Sequence, residues 1–110
     1  MRIAVVGSRG LTVENLAVWL PVGTTQIISG GARGIDACAR AYAATHDIPC
    51  VEFLPDYRRY GRSAPLRRNR QIVSQADLVI AFWDGASRGT RYTIQCCLQE
   101  NVPLLVLLCR

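Results

Sequence analysis

Five short runs rich in apolar residues are spaced along the chain and separated by longer segments of mixed polarity. They cover residues 2–6, 25–29, 50–54, 78–82 and 103–109. Apolar runs of this length are typical of strands in a sheet that is covered on both faces. The pattern therefore predicts five strands, of which the first is expected to be buried.

Apolar residues recur at helical spacing between these runs, which predicts one helix after each of the first four strands. The first helix follows Thr12 as its cap and ends before Pro21. The second begins at about Ile35, the third runs from Ser63 to about Ala76, and the fourth begins near residues 89–90. In the fourth helix we expect three inward-facing side chains, namely Ile94, Cys97 and Leu98. Residues 55–63 are predicted to form a loop.

Alternation of strands and helices predicts a parallel sheet with right-handed crossovers. We expect residues 1–110 to form a single α/β domain, a Rossmann-like three-layer domain with helices on both faces. The expected strand order is 3-2-1-4-5. Ligands of such sheets bind at the carboxyl ends of the strands, where the order reverses between strands 1 and 4.

Three glycine-rich loops fall at that edge of the predicted sheet, at residues 7–10, 29–34 and 84–90. Each loop is expected to lead into a helix N-terminus, where free amides and the helix dipole favour an anion. Together with the start of the third helix, the loops predict a site for a phosphate-bearing ligand. The candidate ligand-binding residues are Gly7, Ser8, Arg9, Gly30, Gly31, Ala32, Arg33, Asp36, Arg68, Asn69, Asp84, Ser87, Arg88, Gly89 and Thr90.

Four of these candidates have a structural alternative. Asp36 either stabilises a helix dipole or contacts a ribose hydroxyl, and Asp84 either forms a turn or contacts a sugar. Thr90 either caps the fourth helix or binds phosphate. Asn69 either satisfies a nearby backbone group or binds the ligand. No standard dinucleotide or P-loop fingerprint is present in the sequence.

The chain carries a net charge of +5, and all thirteen of its basic residues are arginines. Arginine grips phosphate in a planar, bidentate manner. Most arginines are expected in or beside the predicted pocket, although a solvated basic face is the alternative for those of residues 58–70. Together with Tyr57 and Tyr60, the same cluster offers a surface for single-stranded DNA, which is a further alternative.

Other features narrow the class of protein. The five cysteines form no Cys-x-x-Cys pair and accompany one histidine, so no metal site is predicted. No apolar run is long enough to span a membrane, no signal peptide is recognisable, and we expect a cytoplasmic protein without membrane partners. The last strand, residues 103–109, is an apolar sheet edge, which favours a homo-oligomer.

The loop motifs resemble those of the SLOG superfamily of Rossmann-like domains, which includes the DNA-processing protein A (Smf) family and the LOG-type phosphoribohydrolases. The resemblance is strongest to the small YspA-like, cpYpsA-related branch. The motifs that carry it are residues 7–9, 29–36, 55–56 followed by 68–69, 76–77, 82–85 and 87–90.

This resemblance implies a nucleotide or a nucleotide-derived ligand, with no required cofactor, in a sensor or ligand-binding domain. A nucleotide N-glycosidic hydrolase is the alternative. LOG-type enzymes carry a catalytic Glu three residues after a Gly-Thr pair, and Thr93 stands at that position here. A threonine cannot act as a carboxylate base. The catalytic residue of a hydrolase therefore stays unknown, with Asp84 as the candidate.

Overall fold

A computed structural model describes residues 1–109 and shows one five-stranded parallel sheet in the order β3-β2-β1-β4-β5. The strands are β1 (Arg2–Gly7), β2 (Gln26–Ser29), β3 (Cys50–Glu52), β4 (Leu78–Trp83) and β5 (Leu104–Leu108). The helices are α1 (Ile35–Thr45), α2 (Tyr57–Tyr60), α3 (Ala64–Gln75) and α4 (Arg88–Glu100). The predicted α/β Rossmann-like fold and its strand order are confirmed.

Two hydrophobic cores cover the two faces of the sheet. One lies under α1 and contains Ile3, Val5, Ile27, Ile35 and Ile80 among others. The other lies under α3 and α4, and its buried side chains include Ala4, Val6, Ile28, Ile72 and Cys97. Consecutive residues of each central strand thus enter opposite cores, which explains why these strands are apolar throughout.

The predicted first helix is wrong. Only one turn of 3-10 helix, Leu16–Val18, forms between β1 and β2, and Asn15 before it has a non-helical backbone (φ −126°, ψ 75°). Thr12 and Val13 are β-branched and Asn15 favours turns, so local propensity for a helix is weak. Leu16 nevertheless reaches the core by an irregular path. The loop after β1 therefore leads into no helix N-terminus.

Two further predictions need correction. Residues 55–63 are not a simple loop, because Asp56 caps the four-residue helix α2 and a 3-10 turn, Gly61–Ser63, follows it. In α4, Cys97 is buried and Ile94 packs against the core, but Leu98 is 68% exposed. The inward stripe of α4 instead includes Thr93 and Cys96, because the helix presents a face rotated by about one residue from the predicted one.

The outer strand β5 is partly exposed: Leu105, Val106 and Leu108 are each more than one-third exposed, while Leu104 and Leu107 pack against the two cores. It pairs only with β4 within the described chain, residues 1–109. An unguarded apolar edge of this kind favours pairing with another strand. The homo-oligomer expected from the sequence stays a prediction.

Replacement of Gly7 tests how tightly β1 packs where it meets α1. A Cβ at this position would lie 2.5 Å from Ile35 Cγ1 and 2.7 Å from the Phe82 carbonyl oxygen. We expect Gly7→Ala to lower the free energy of unfolding by about 1–3 kcal/mol, as overpacking of a core does. Gly10→Ala is the matched control, because a Cβ there would meet no atom within 4 Å. Chemical denaturation measures both, and equal stabilities would contradict the packing at Gly7.

Candidate functional site

A cavity of about 390 Å³ opens at the carboxyl end of the sheet, beside β1 and β4 where the strand order reverses. Its volume lies within the usual range of small-molecule sites, about 300–1,000 Å³. The lining residues are Val6, Gly7, Ser8, Arg9, Gly10, Ala32, Asp36, Pro65, Arg68, Asn69, Ile72, Asp84, Ser87, Gly89, Thr90 and Thr93.

The loop after β1 is fixed against the end of β4 through Ser8. The backbone N–H of Ser8 donates to the Phe82 carbonyl at 3.1 Å, and its hydroxyl accepts from the backbone N–H of Asp84 at 3.3 Å. Ser8 is buried as a result, while the neighbouring Arg9 is exposed and lines the cavity. These hydrogen bonds hold the loop backbone and Arg9 at the cavity. No helix begins directly after this loop, so a helix dipole does not contribute there.

Arg68 and Asn69 connect the other elements around the cavity. Arg68 is only 7% exposed, and its Nη1 group donates to the Gly30 carbonyl at the end of β2 and to the Phe53 carbonyl after β3. Arg68 Nε donates to Asn69 Oδ1 at 2.7 Å, and Asn69 Nδ2 donates to the Gly89 carbonyl of α4 at 3.3 Å. One of the two roles expected for Asn69, to satisfy a nearby backbone group, is therefore present in this structure, and that group is the Gly89 carbonyl.

Asp36 lies in the first turn of α1 and is also 7% exposed. One carboxylate oxygen, Oδ2, accepts from the backbone N–H of Ala32 at 3.2 Å. Burial raises the pKa of Asp36, an effect that the Ala32 N–H and the positive charge of Arg68 only partly oppose. No ion pair within 4.0 Å involves Asp36 among residues 1–109. Asp36 is therefore a desolvated carboxylate at a cavity wall.

Gly30 brings Asp36 and Arg68 to the same wall. A Cβ built on Gly30 would lie 2.6 Å from Arg68 Nη1 and 2.9 Å from Asp36 Oδ2. Any side chain at position 30 would therefore push against both charged groups. Gly30 itself lies behind them and outside the cavity lining.

Helix α4 presents its N-terminus to the cavity, and Ser87 rather than Thr90 caps it. The Ser87 hydroxyl accepts from the backbone N–H of Thr90 at 3.4 Å, and the two hydroxyl groups are 3.3 Å apart. The alternative of Thr90 as the cap is therefore wrong. Thr93 is buried, and its hydroxyl donates to the Gly89 carbonyl at 3.1 Å, one turn earlier.

Asp84 has the turn geometry that was one of its two expected roles. Its Oδ1 atom accepts from the backbone N–H groups of Ala86 and Ser87, each at 2.8 Å. These two bonds lower the pKa of the exposed Asp84 carboxyl below its ordinary value. A carboxylate held ionised in this way suits a general acid poorly. Asp84 nevertheless lines the cavity, and no other observation bears on its role as a catalytic candidate.

Most of the predicted site residues meet around this cavity, but four do not line it, namely Gly30, Gly31, Arg33 and Arg88. The sequence-based list also omitted five lining residues: Val6, Gly10, Pro65, Ile72 and Thr93. Pro65, Asn69 and Ile72 recur at helical spacing on one face of α3. This helical spacing is the feature of the sequence that could have identified Pro65 and Ile72, the apolar residues of α3 in the lining.

The charge of the cavity differs from the expectation. Of the arginines in the described part of the chain, Arg9 and Arg68 line it, together with the two carboxylates Asp36 and Asp84. Most of the remaining arginines of residues 58–70 are exposed on α2, the 3-10 turn and the outer side of α3. The expectation that most positive charge lies in or beside the pocket is wrong for these arginines. Successive side chains of a helix point in different directions, so these arginines face away from the side of α3 that carries Arg68.

These outward side chains form what we call the arginine–tyrosine face, which consists of Arg59, Tyr60, Arg67, Arg70 and Tyr92. The guanidinium of Arg67 lies 4.5 Å from the centroid of the Tyr60 ring, and that of Arg59 lies 5.2 Å from it. A shallow groove of about 570 Å³ runs between Tyr60 and Tyr92 along α3. This face is separate from the cavity, because the two share no lining residue.

Within residues 1–109, no group of three His, Cys, Asp or Glu side chains could hold a metal ion. No helix in this described part of the chain has the length and hydrophobicity to cross a membrane.

Comparison with known proteins gives one family match and a similar fold. The family model described as "YspA, cpYpsA-related SLOG family" matches residues 1–60. The structure of DNA processing protein A from Helicobacter pylori, described for its single-stranded DNA binding mode, superposes with a TM-score of 0.74 at 22% sequence identity. The match covers 100% of this chain but 66% of that one, and it establishes the shared fold. No curated protein matches the chain significantly.

Asp36→Asn tests the electrostatic cost of the buried carboxylate. The folded protein holds the Asp36 proton more tightly than the unfolded chain does, because burial raises its pKa. Stability therefore falls as the pH rises from about 4, the unfolded pKa, through the folded pKa. The amide keeps an oxygen acceptor for Ala32 and removes the charge. We expect Asp36→Asn to raise the melting temperature at pH 7.

The stabilisation should diminish towards pH 3, where Asp36 is protonated in both states of the wild-type protein. Calorimetric melting of both proteins across this range measures the difference. The contrary result would be a melting temperature of Asp36→Asn that lies further below that of wild type at pH 7 than at pH 3. It would show that the carboxylate charge stabilises the fold.

Proposed function

Since this chain belongs to the YspA, cpYpsA-related SLOG family, we propose that it binds a nucleotide or a nucleotide-derived phosphorylated ligand as a sensor or ligand-binding domain. The observation that carries the proposal is the mixed lining of the sheet-edge cavity. Anion-binding groups, a buried and only partly compensated carboxylate, and apolar side chains all line a space of about 390 Å³. A nucleotide combines an anion, a polyhydroxyl sugar and a flat apolar base, so it matches all three.

The phosphate end of the ligand would lie between Arg9 and the N-terminus of α4. This helix has 13 residues; Ser87 caps the Thr90 N–H, and the N–H groups of Arg88 and Gly89 have no partner within the helix. A Cβ on Gly89 would meet only Asn69 Nδ2, at 3.8 Å, so an anion can approach the backbone there closely. The helix dipole and these amides favour a phosphate group.

The base would pack against the half-buried Pro65, beside the buried side chains of Val6 and Ile72. Burial of apolar surface supports binding by about 25 cal/mol per Å². This arrangement leaves the sugar between these apolar side chains and the phosphate group. It requires no metal and no cofactor.

Arg9→Ala tests the proposed phosphate site. A charge-assisted hydrogen bond contributes about 1.5–3 kcal/mol, so we expect its loss to weaken binding of a nucleoside monophosphate by about tenfold or more. Arg33→Ala removes the same charge from an exposed arginine that the structure keeps out of the lining, and we expect a much smaller effect. Isothermal titration calorimetry measures both affinities. Equal losses would indicate a general effect of charge and would argue against this phosphate site.

Chromatography of the recovered ligand distinguishes binding from N-glycosidic hydrolysis. An intact nucleotide supports a sensor or binding domain. Release of free base, and its loss in Asp84→Asn, would instead identify the alternative hydrolase.

Single-stranded DNA binding is a second candidate function, and the arginine–tyrosine face favours it. Arg67 and Arg70 offer charge to a phosphate backbone, and Tyr60 and Tyr92 offer rings on which bases stack. Glu100 pairs with Arg70 at 3.7 Å, and no other ion pair of these two arginines is present in residues 1–109. DNA processing protein A, which shares the fold, has a described single-stranded DNA binding mode. Its similarity supports the candidate without locating the surface.

Arg67→Ala tests this candidate. We expect weaker binding of a short oligothymidylate and a salt dependence of log K reduced by about 0.7 for the lost phosphate contact. Arg40→Ala is the matched control, because Arg40 is an exposed arginine on α1, paired with Glu52. Fluorescence anisotropy at several salt concentrations gives both quantities. Binding that is insensitive to salt, or equally reduced in both variants, would contradict a role for this face.

A further inference from the structure

Asp36 is unusual among the charged groups of the cavity because the protein satisfies it incompletely. Arg68 has three acceptors in Gly30, Phe53 and Asn69, and Asp84 accepts two short backbone hydrogen bonds. Among residues 1–109, Asp36 by contrast accepts one well-formed hydrogen bond, from the Ala32 N–H at 3.2 Å, and a weaker contact from the Gly30 N–H. It is nine-tenths buried and lines the cavity. A buried carboxylate with spare acceptor capacity is costly unless a partner meets it.

A purely structural role explains Asp36 poorly. A carboxylate in the first turn of α1 does stabilise the helix dipole, and it braces the loop through Ala32. A more exposed aspartate could have both of these effects, and an asparagine could brace the loop through Ala32 as well. Burial nevertheless raises the Asp36 pKa, so its surroundings do not fully stabilise the charge. An ionised carboxylate at this position is therefore costly to the protein unless a partner meets it.

The position of Asp36 indicates which part of a ligand would meet it. Asp36 lies near the loop after β1, because α1 begins where Gly34 packs against the Arg9 carbonyl. The guanidinium groups of Arg68 and Arg9 also lie close enough to lower its pKa, so the immediate surroundings of its carboxylate are polar. A second anion is excluded from its immediate surroundings by repulsion. The group that fits is an uncharged hydrogen-bond donor near the phosphate, as the hydroxyls of a sugar are.

We infer that Asp36 is the specificity-determining residue of this cavity and accepts hydrogen bonds from the ribose hydroxyls of the ligand, so that ribonucleotides bind in preference to 2′-deoxyribonucleotides. The inference rests on the proposed nucleotide function and goes beyond it by naming the sugar. A vicinal diol donates two hydrogen bonds to one carboxylate, whereas a deoxyribose leaves part of the buried carboxylate unpaired. Discrimination of this kind is strong because the penalty falls on a buried polar group.

The test compares each ribonucleoside 5′-monophosphate with its 2′-deoxy counterpart by isothermal titration calorimetry. We expect wild-type protein to prefer the ribonucleotide by at least about tenfold, the effect of one charge-assisted hydrogen bond. In Asp36→Asn we expect the preference to fall below about threefold. Affinity for the deoxyribonucleotide should be retained or improved, because a negative charge near the phosphate has been removed.

Asp47→Asn is the control, because it makes the same chemical change just beyond the other end of α1. Asp47 is exposed and has φ of 54°, a conformation that asparagine adopts readily. This variant should keep the wild-type preference. Retained deoxyribonucleotide binding by Asp36→Asn shows that its cavity is folded.

Two results would overturn the inference. One is a wild-type protein that binds ribonucleotides and deoxyribonucleotides equally. The other is an Asp36→Asn protein that loses affinity for both by the same factor, which is what a structural role of Asp36 would produce. A wild-type protein that binds neither kind of nucleotide refutes the proposed function itself, so the two failures are distinguishable.

Discussion

The buried guanidinium of Arg68 holds together the edge of the sheet at which the cavity forms. It contacts the ends of β2 and β3 through the Gly30 and Phe53 carbonyls, and it reaches α4 through Asn69. Burying an arginine carries a large desolvation penalty, which also lowers the pKa of Arg68, and only acceptors in good geometry offset it. Once those acceptors are in place, truncation of Arg68 would leave several carbonyl groups buried without partners.

The same edge shows two different uses of charge. Arg68 is satisfied by the protein and fixes the distances between elements, whereas Asp36 is satisfied only in part. A satisfied buried group contributes to stability, whereas a buried group that is satisfied only in part reduces it. Gly30 allows both to lie side by side, because any Cβ there would collide with them. Because Gly30 has no side chain, the stabilising group Arg68 and the candidate recognition group Asp36 can lie close together.

The sheet was predictable because its strands must be apolar on both faces, and this requirement leaves a strong pattern in the sequence. The absence of an α-helix between β1 and β2 was not predictable, since apolar residues such as Leu16 can reach the core from an irregular segment as well as from a helix. The error at Leu98 arose because helical spacing alone left the inward face of α4 uncertain by about one residue.

The candidate site was predictable to a similar extent and for similar reasons. Glycine-rich loops after parallel strands converge by topology, so most of the lining residues followed from their place in the strand order. The burial of Arg68 did not follow, because arginine is usually exposed and its partners lie far away in sequence. A weak signal existed in Ala64, Arg68 and Ile72, which recur every four residues along the inward side of α3.

Helix α3 also explains why net charge was a misleading guide to the cavity. Consecutive residues of a helix point in directions about 100° apart, so Arg67 and Arg68 enter different environments. Arg67 stacks on Tyr60 at the surface, while Arg68 is buried beside Asp36. The positive charge of the chain is therefore concentrated outside the cavity, whose lining has two arginines and two aspartates. For the proposed ligand, selection would therefore depend on the positions of donors and acceptors more than on the overall attraction of a basic protein for anions.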